Sequence, residues 1–254
     1  MARGNQSGDE LVRERPAWII PLLVLAGVLI FSGAFLYYYF GPTPGEILGR
    51  DPRASAAEEN IEVIVGNTRF MVPEHYTRYP NQRTGGRQPM LDMHALLPDL
   101  APWSPERQAE FDDNSVRANV VYFSLKEAAT PLNSARRLKT IYSKYLAEGE
   151  PQAGPDGLQL FAFNDESGYA GQDLFVGKDA EDRMTLIICD RRSALVERPN
   201  CMRSLLIGPN LELGYRYKRS HLDDWREIDK AILSLVQGFE TLEPMDDLQG
   251  PILD

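Results

Sequence analysis

Histidine and cysteine are scarce in this 254-residue chain, with three of the first and two of the second, and their placement removes whole classes of chemistry. Neither H-E-x-x-H nor G-x-S-x-G occurs, so no zinc-protease helix and no nucleophile elbow is signalled. His75, His94 and His221 are scattered along the sequence. Asp92-x-His94 and His221-x-Asp223 each offer at most a pair of ligands, short of the roughly three or four that a zinc centre takes from the protein, so no metal and no cofactor is expected. The nearest approach to a phosphate loop runs from Gly171 to Gly177 and Lys178. It has five residues between its glycines where the motif has four, and Asp179 stands where a magnesium-binding hydroxyl belongs. Cations are also in the minority, 27 Lys and Arg against 37 Asp and Glu, a net charge of −10. That balance excludes nucleic acid and anionic lipid headgroups as the main partner, because both require a concentrated positive face. It leaves a basic protein as an admissible partner. Internal repeats and low-complexity blocks are missing too, and a single apolar run reaches membrane-spanning length.

That run, residues 17–40, contains 24 residues without a charge. As a helix rising about 1.5 Å per residue it covers roughly 36 Å, enough to cross a hydrocarbon core of roughly 30 Å. A cleavable signal needs only about 7–15 apolar residues. Ser32-Gly33-Ala34 offers small residues for cleavage, but Phe35, Leu36, Tyr37, Tyr38, Tyr39 and Phe40 follow directly and prolong the apolar run, so it reads as an anchor. Trp18 near one end and the three tyrosines near the other suit the two membrane interfaces, and Pro21 falls in the first turns, where a missing N–H costs little. Ala26, Gly27, Ser32, Gly33 and Ala34 include no pair four apart, so close helix pairing is not signalled. Arg13 and Arg15 lie just before the run, with Arg3 further out, whereas Arg50 and Arg53 come ten or more positions after it. This bias predicts a single-pass inner-membrane protein with residues 1–16 in the cytoplasm and everything after Phe40 in the periplasm.

Composition divides the remainder. Gly41-Pro42-Thr43-Pro44-Gly45 stops the helix, residues 41–60 read as a tether, and 240–254 form an acidic tail. Between them, 61–239 is long enough for one domain with its own core. It opens with IEVIV, Gly66-Asn67 and TRFMV, two β-rich runs joined by two turn residues, which predicts a tight hairpin. Further strands are expected at 89–96 and 116–125, then at LQLFAF, QDLFVG, MTLIICD, CMRSLLI and LELGYRYKR. In the last of these, apolar Leu211, Leu213, Tyr215 and Tyr217 alternate with Glu212, Arg216 and Lys218, as in a sheet with one wet face. A short helix is expected from Ser104 to Phe111, a longer one from Thr130-Pro131 along Leu138, Ile141, Tyr142, Tyr145 and Leu146, and a final one beginning at a Ser220/Asp223 capping box. The last carries Trp225, Ile228, Ile232, Leu235 and Phe239 on one stripe and ends at Gly238. The fold class is therefore α+β, a mainly antiparallel sheet with two to three helices behind an N-terminal transmembrane helix.

The two cysteines, Cys189 and Cys201, fall at the end of one expected strand and the start of the next. In an oxidising compartment they can clasp that connection, and closing such a loop contributes roughly 3 kcal/mol on the chain-entropy model. Two free thiols remain open as an alternative; a redox pair would lack the C-x-x-C spacing.

One stretch concentrates positive charge in an otherwise acidic sequence. MVPEHYTRYPNQRTGGRQP, with Arg69 just before it, gathers Arg69, Arg78, Arg83 and Arg87 among His75, Tyr76 and Tyr79. Gly85-Gly86 can turn successive backbone N–H groups toward an anion, and forked guanidinium donors suit a carboxylate or phosphate. These residues are the candidate ligand or partner surface; the competing structural reading pairs the arginines with neighbouring carboxylates.

F-M-V-P-E-H-Y-T-R (70–78), Arg83 with Gly85-Gly86, L-D-M-H-A-L-L-P-D-L (91–100), G-Y-R-Y-K-R (214–219) and L-D-D-W-R-E-I-D (222–229) together resemble an uncharacterised family of single-pass, membrane-anchored alphaproteobacterial proteins. The resemblance implies a bacterial inner membrane and no activity. Function is then expected to be non-enzymatic: a periplasmic binding or adaptor domain, accessory to an envelope complex and partnered by another envelope protein. A specific version is an acidic inhibitor of a basic envelope-active enzyme, as in immunity-type proteins. The alternative is a hydrolase or transferase whose site is dispersed in sequence, using Arg83, Arg87, His75 or His94 on an anionic substrate.

Overall fold

Uncharged residues in an unbroken run satisfy their backbone groups most simply within one helix, and α1 (Ile19–Phe40) is such a helix, with no buried residue. It ends where the Gly41 N–H bonds to the Tyr37 carbonyl at 2.9 Å. By length and composition it can cross a membrane, as an anchor or a signal sequence would. The computed structural model describes residue 16 and residues 18–241. Arg3, Arg13 and Arg15, which set the expected orientation, and the acidic tail beyond 241 lie outside them. The protein divides into two units, Met1–Leu48 and Gly49–Asp254. The first also holds a short helix, α2 (Pro44–Ile47), started by a capping box in which Thr43 and Glu46 each accept from the other's backbone N–H. The second begins at Gly49, within the stretch read as tether, where the Gly49 carbonyl accepts from the Asn81 N–H at 3.1 Å.

The second unit opens with the expected hairpin, β1 (Asn60–Val65) and β2 (Thr68–Pro73). Gly66 has φ +59° and Asn67 is not among the residues of positive φ, the pattern of a II′ turn, whose twist matches the strands it joins. β3 (Gly86–Gln88) runs parallel to β1 and completes a three-stranded sheet. The remaining strands are β4 (Met90–Leu96), β5 (Val120–Glu127), β6 (Gln152–Ala153), β7 (Gln159–Ala162), β8 (Gln172–Lys178), β9 (Met184–Asp190), β10 (Asn200–Leu206) and β11 (Leu211–Lys218). They form one eight-stranded sheet in the order β4-β5-β11-β10-β9-β8-β7-β6, antiparallel throughout. Three helices accompany it: α3 (Gln108–Phe111), α4 (Ser134–Thr140) and α5 (Trp225–Phe239). The domain is α+β with a mainly antiparallel sheet, as the sequence predicts.

Strand alternation sorts the large sheet into two faces. Leu91 and Met93 of β4, Phe123 and Leu125 of β5, Leu213 and Tyr215 of β11, and Leu205 of β10 share one face with β1 and β2, and α5 packs there through Trp225, Ile228, Ile232 and Val236. Each such residue, once buried, contributes about 1.5–3 kcal/mol. Two charges sit inside this apolar interface. Arg203 of β10, 3% exposed, forms an ion pair with Asp229 of α5, 4% exposed, and the Tyr215 hydroxyl donates to the same carboxylate at 2.7 Å. Burial acts to lower the Arg203 pKa, but Tyr215 and Asp229 together hold it above its ordinary value; burial drives the Tyr215 phenol well up.

Cys189 and Cys201 are direct cross-strand partners in β9 and β10, joined as a disulfide and fully buried. Next to them Asp173 accepts from Arg191 at 2.6 Å and from Arg219 at 2.8 Å, which ties the start of the 190–200 loop and the residue after β11 to β8.

Three sequence expectations are corrected. β11 does not present Glu212, Arg216 and Lys218 to water alike: Glu212 and Lys218 are buried, because α4 brings Arg137 onto Glu212 and the 112–118 loop brings Asn114 onto Lys218. The helix expected from Thr130-Pro131 to Leu146 is α4 alone, capped by the Asn133 side chain and broken at Ile141 (φ −114°, ψ −69°), after which residues 142–144 form a 3₁₀ turn. Its apolar positions still share a side, since Leu138, Tyr142 and Leu146 pack on one cluster. The Ser220 hydroxyl donates to the Val116 carbonyl instead of capping α5, which starts five residues later and includes Gly238.

Two stability outcomes are expected. Replacing both cysteines by alanine lowers the unfolding free energy by roughly 3 kcal/mol in urea titrations; a change under about 0.5 kcal/mol would mean the link does not restrain the unfolded state. Arg203→Met or Asp229→Leu alone costs about 3–5 kcal/mol, because each strands a buried charge, while the double substitution costs less than either. A double variant as damaged as the sum of the singles would show that the two groups act independently.

Candidate binding site on the open face of the sheet

The other face of the large sheet is covered only at its two ends. At one end Leu96 and Val120 pack under Phe111 of α3 and Trp103. At the other, Leu174, Leu186 and Phe163 pack under Leu138, Tyr142 and Leu146. Between them lies an uncovered trough of about 260 Å³. Its floor is a register row of small residues, Ser124, Gly214 and Ser204, on three adjacent strands, with Asp92 opposite Ser124. The next row brings Tyr122, Arg216 and Met202 together, and Arg78 reaches in from the segment after β2. A Cβ added to Gly214 would meet the Ser204 and Ser124 hydroxyls at 3.6 and 3.7 Å, so the floor is flat because this residue has no side chain.

Both arginines use Tyr122 as a platform: the Arg78 guanidinium carbon lies 4.5 Å from its ring centroid and that of Arg216 4.8 Å. Cation–π contacts of this kind contribute about 0.5–1 kcal/mol at exposed sites and hold the guanidinium planes in place. The row on the other side of the floor pairs Glu212 with Lys126, and Glu212 accepts from both Arg137 and Lys126. Burial works against its ionisation, but Arg137 and Lys126 outweigh burial and keep its carboxyl below the ordinary range. Beyond Tyr122 and Arg216 a second, polar recess of about 500 Å³ holds Lys218, whose ammonium donates to Asn114 Oδ1 at 2.8 Å. Burial, then the neighbouring Arg198 and Arg216, push its pKa down, against Asp113.

Of the arginines singled out in the sequence, only Arg78 reaches the trough. Arg69 pairs with Glu62 at 3.4 Å beside the hairpin. Arg83 is a clamp: it donates to the Thr77 hydroxyl at 2.8 Å, to the Thr77 carbonyl at 3.1 Å and to the Arg53 carbonyl, with Glu74 at 3.6 Å. Arg87 donates to the Gly66 carbonyl at the hairpin turn. Gly85 and Gly86 have φ +73° and +71°, and this left-handed pair turns the backbone into β3. The residues that make the trough, Tyr122, Ser124, Met202, Ser204, Gly214 and Arg216, come from the consecutive strands β10 and β11 and from β5, which is distant from both in sequence. Alternation assigns them a common face, but strand order is needed to make them neighbours.

The histidines are not assembled into acid–base machinery. The His75 ring packs at 5.1 Å from that of Tyr76, its pKa lowered by burial against Glu58. His221 contacts the Ala118 carbonyl at 3.1 Å. His94 is buried against the Phe111 ring, and its Nε2 has no hydrogen-bond partner among the described residues. Among the described residues no group of three or more His, Cys, Asp or Glu is placed to hold a metal.

No family model matches this protein, and no curated protein does. Two solved structures resemble it. One is Smlt3025, an immunity protein of the Stenotrophomonas maltophilia type IV secretion system, 14% identical with a TM-score of 0.55 over 74% of this chain and 98% of that one. At that identity the likeness shows the fold alone. The other is FrpD, an iron-regulated outer membrane lipoprotein of Neisseria meningitidis, 12% identical with a TM-score of 0.45 over 74% and 96%, too weak to carry an argument.

Burial holds the His94 pKa down at about 3, helped by Arg78 and then Arg83. The unfolded state protonates near pH 6.5, so His94 subtracts stability as pH falls from there toward 3. Between pH 7 and pH 5 the parent should lose about 2 kcal/mol more unfolding free energy than His94→Leu in parallel urea titrations. Equal losses would mean that His94 is protonated in the folded state.

Proposed function

We propose that this protein is a membrane-anchored extracytoplasmic binding module, accessory to an envelope assembly of a bacterium such as an alphaproteobacterium. α1 holds it in the inner membrane with the N-terminus in the cytoplasm and the domain in the periplasm. The observation that carries the reading is the trough: an open, structured sheet face presenting Arg78, Arg216, Tyr122 and Met202, the residue types enriched in protein interfaces. A binding role needs no assembled acid–base group, and none of the three histidines is joined to a carboxylate in the trough. The buried disulfide supports an oxidising compartment.

The inhibitor version also has support. An acidic protein is suited to steering a basic partner, and Smlt3025, which shares the fold, is an immunity protein.

The test is site-specific photo-crosslinking in intact cells, with p-benzoylphenylalanine in place of Met202 or, as a control on the β8–β9 turn, of Glu181. A discrete protein adduct is expected from position 202 and none from 181. If neither position gives an adduct, or both give the same one, the trough is not a partner surface.

A further inference from the structure

We propose that the trough receives a carboxylate carried by a protein partner, from an Asp or Glu residue or from the partner's C-terminus, gripped by Arg78 and Arg216 on their shared Tyr122 platform. This rests on the reading of the trough as a partner surface and specifies the chemistry that the surface selects. Most arginines on or beside the large sheet are already neutralised: Arg137 by Glu212, Arg183 by Asp179, Arg191 and Arg219 by Asp173, Arg203 by Asp229. Arg78 and Arg216 differ. Among the described residues neither has a carboxylate in ion-pair contact, yet both are held on an aromatic ring. A guanidinium held over a ring without a carboxylate partner keeps N–H groups for a ligand, and its forked donors match the two oxygens of a carboxylate.

The surroundings narrow the ligand. The trough is open along its length, unlike sites that enclose a small molecule, and Met202 and Tyr122 supply apolar surface beside the charges. Asp92 on the floor row adds a negative charge that disfavours a doubly charged phosphate. The protein's net charge of −10 repels a polyacidic segment, so the partner's carboxylate is set in a surface that is otherwise neutral or basic.

The experiment maps the Met202 adduct by mass spectrometry in four forms of the full-length protein: the parent, Arg78→Gln/Arg216→Gln, Arg78→Lys/Arg216→Lys, and Gly214→Val, which keeps both arginines but fills the floor. The cross-linked partner segment should contain an Asp, a Glu or the C-terminus. Adduct yield should fall about tenfold in the glutamine and valine variants and less in the lysine variant. Each variant should melt within a few degrees of the parent, and the Gly214→Val result stands even where an arginine variant folds poorly. An adduct whose segment carries no carboxylate, or one that persists in the glutamine variant, overturns the carboxylate assignment while leaving the binding reading intact. Absence of any adduct in the parent overturns both.

Discussion

The seat of α5 on the sheet depends on one buried ion pair, Arg203 of β10 with Asp229 of the helix. Arg203 and Asp229 are buried in an interface made mainly of aliphatic and aromatic side chains. Such a pair adds little net stability, because desolvation cancels most of its attraction. Its effect is on geometry. Any register of α5 that separates the two leaves Asp229 without its cation and Arg203 with only the more distant Asp179, 3.9 Å away, in a low-dielectric interior. The Tyr215 hydroxyl, donating to the same carboxylate, ties β11 into the arrangement.

Once α5 and the β1–β2 hairpin occupy one face, the opposite face must be protected by what remains. α4 and the segment around α3 are too short to cover it all, so each screens one end. Each is held by a polar contact on β11, Arg137 to Glu212 on one side and Asn114 to Lys218 on the other. The middle stays open, and there the sequence places a flat row of serines and glycine next to two arginines held over Tyr122. The open surface of the domain is thus the complement of its packing, and the trough lies where coverage runs out.

Much of this architecture is legible in the residues. Gly66-Asn67 between two β-branched runs admits one cheap connection, and a II′ turn forms there. Cys189 and Cys201, placed at facing strand ends, meet directly across β9 and β10. The stripe from Trp225 to Phe239 is the core face of α5. Other features escape because they depend on partners distant in the sequence. Glu212 and Lys218 look solvent-facing by alternation alone, yet Arg137 and Asn114, more than 70 residues away in each case, fold over them. The arginine-rich stretch 69–87 looks like one site because its members are close in sequence; three of them brace the hairpin and its following loop, and only Arg78 turns toward the sheet.

The sequence by itself determined the apolar helix, the hairpin, the stripe of α5 and the α+β class, since each depends on local periodicity or turn chemistry; cysteine placement allowed a disulfide, and the pairing of β9 with β10 decided it. Only the tertiary structure decided that Tyr122, Met202, Gly214 and Arg216 share a trough with Arg78, and that Arg203 and Asp229 meet in the core. Side-chain alternation says which face a strand residue occupies, but strand order and register, set by packing across the whole sheet, decide which residues become neighbours on it.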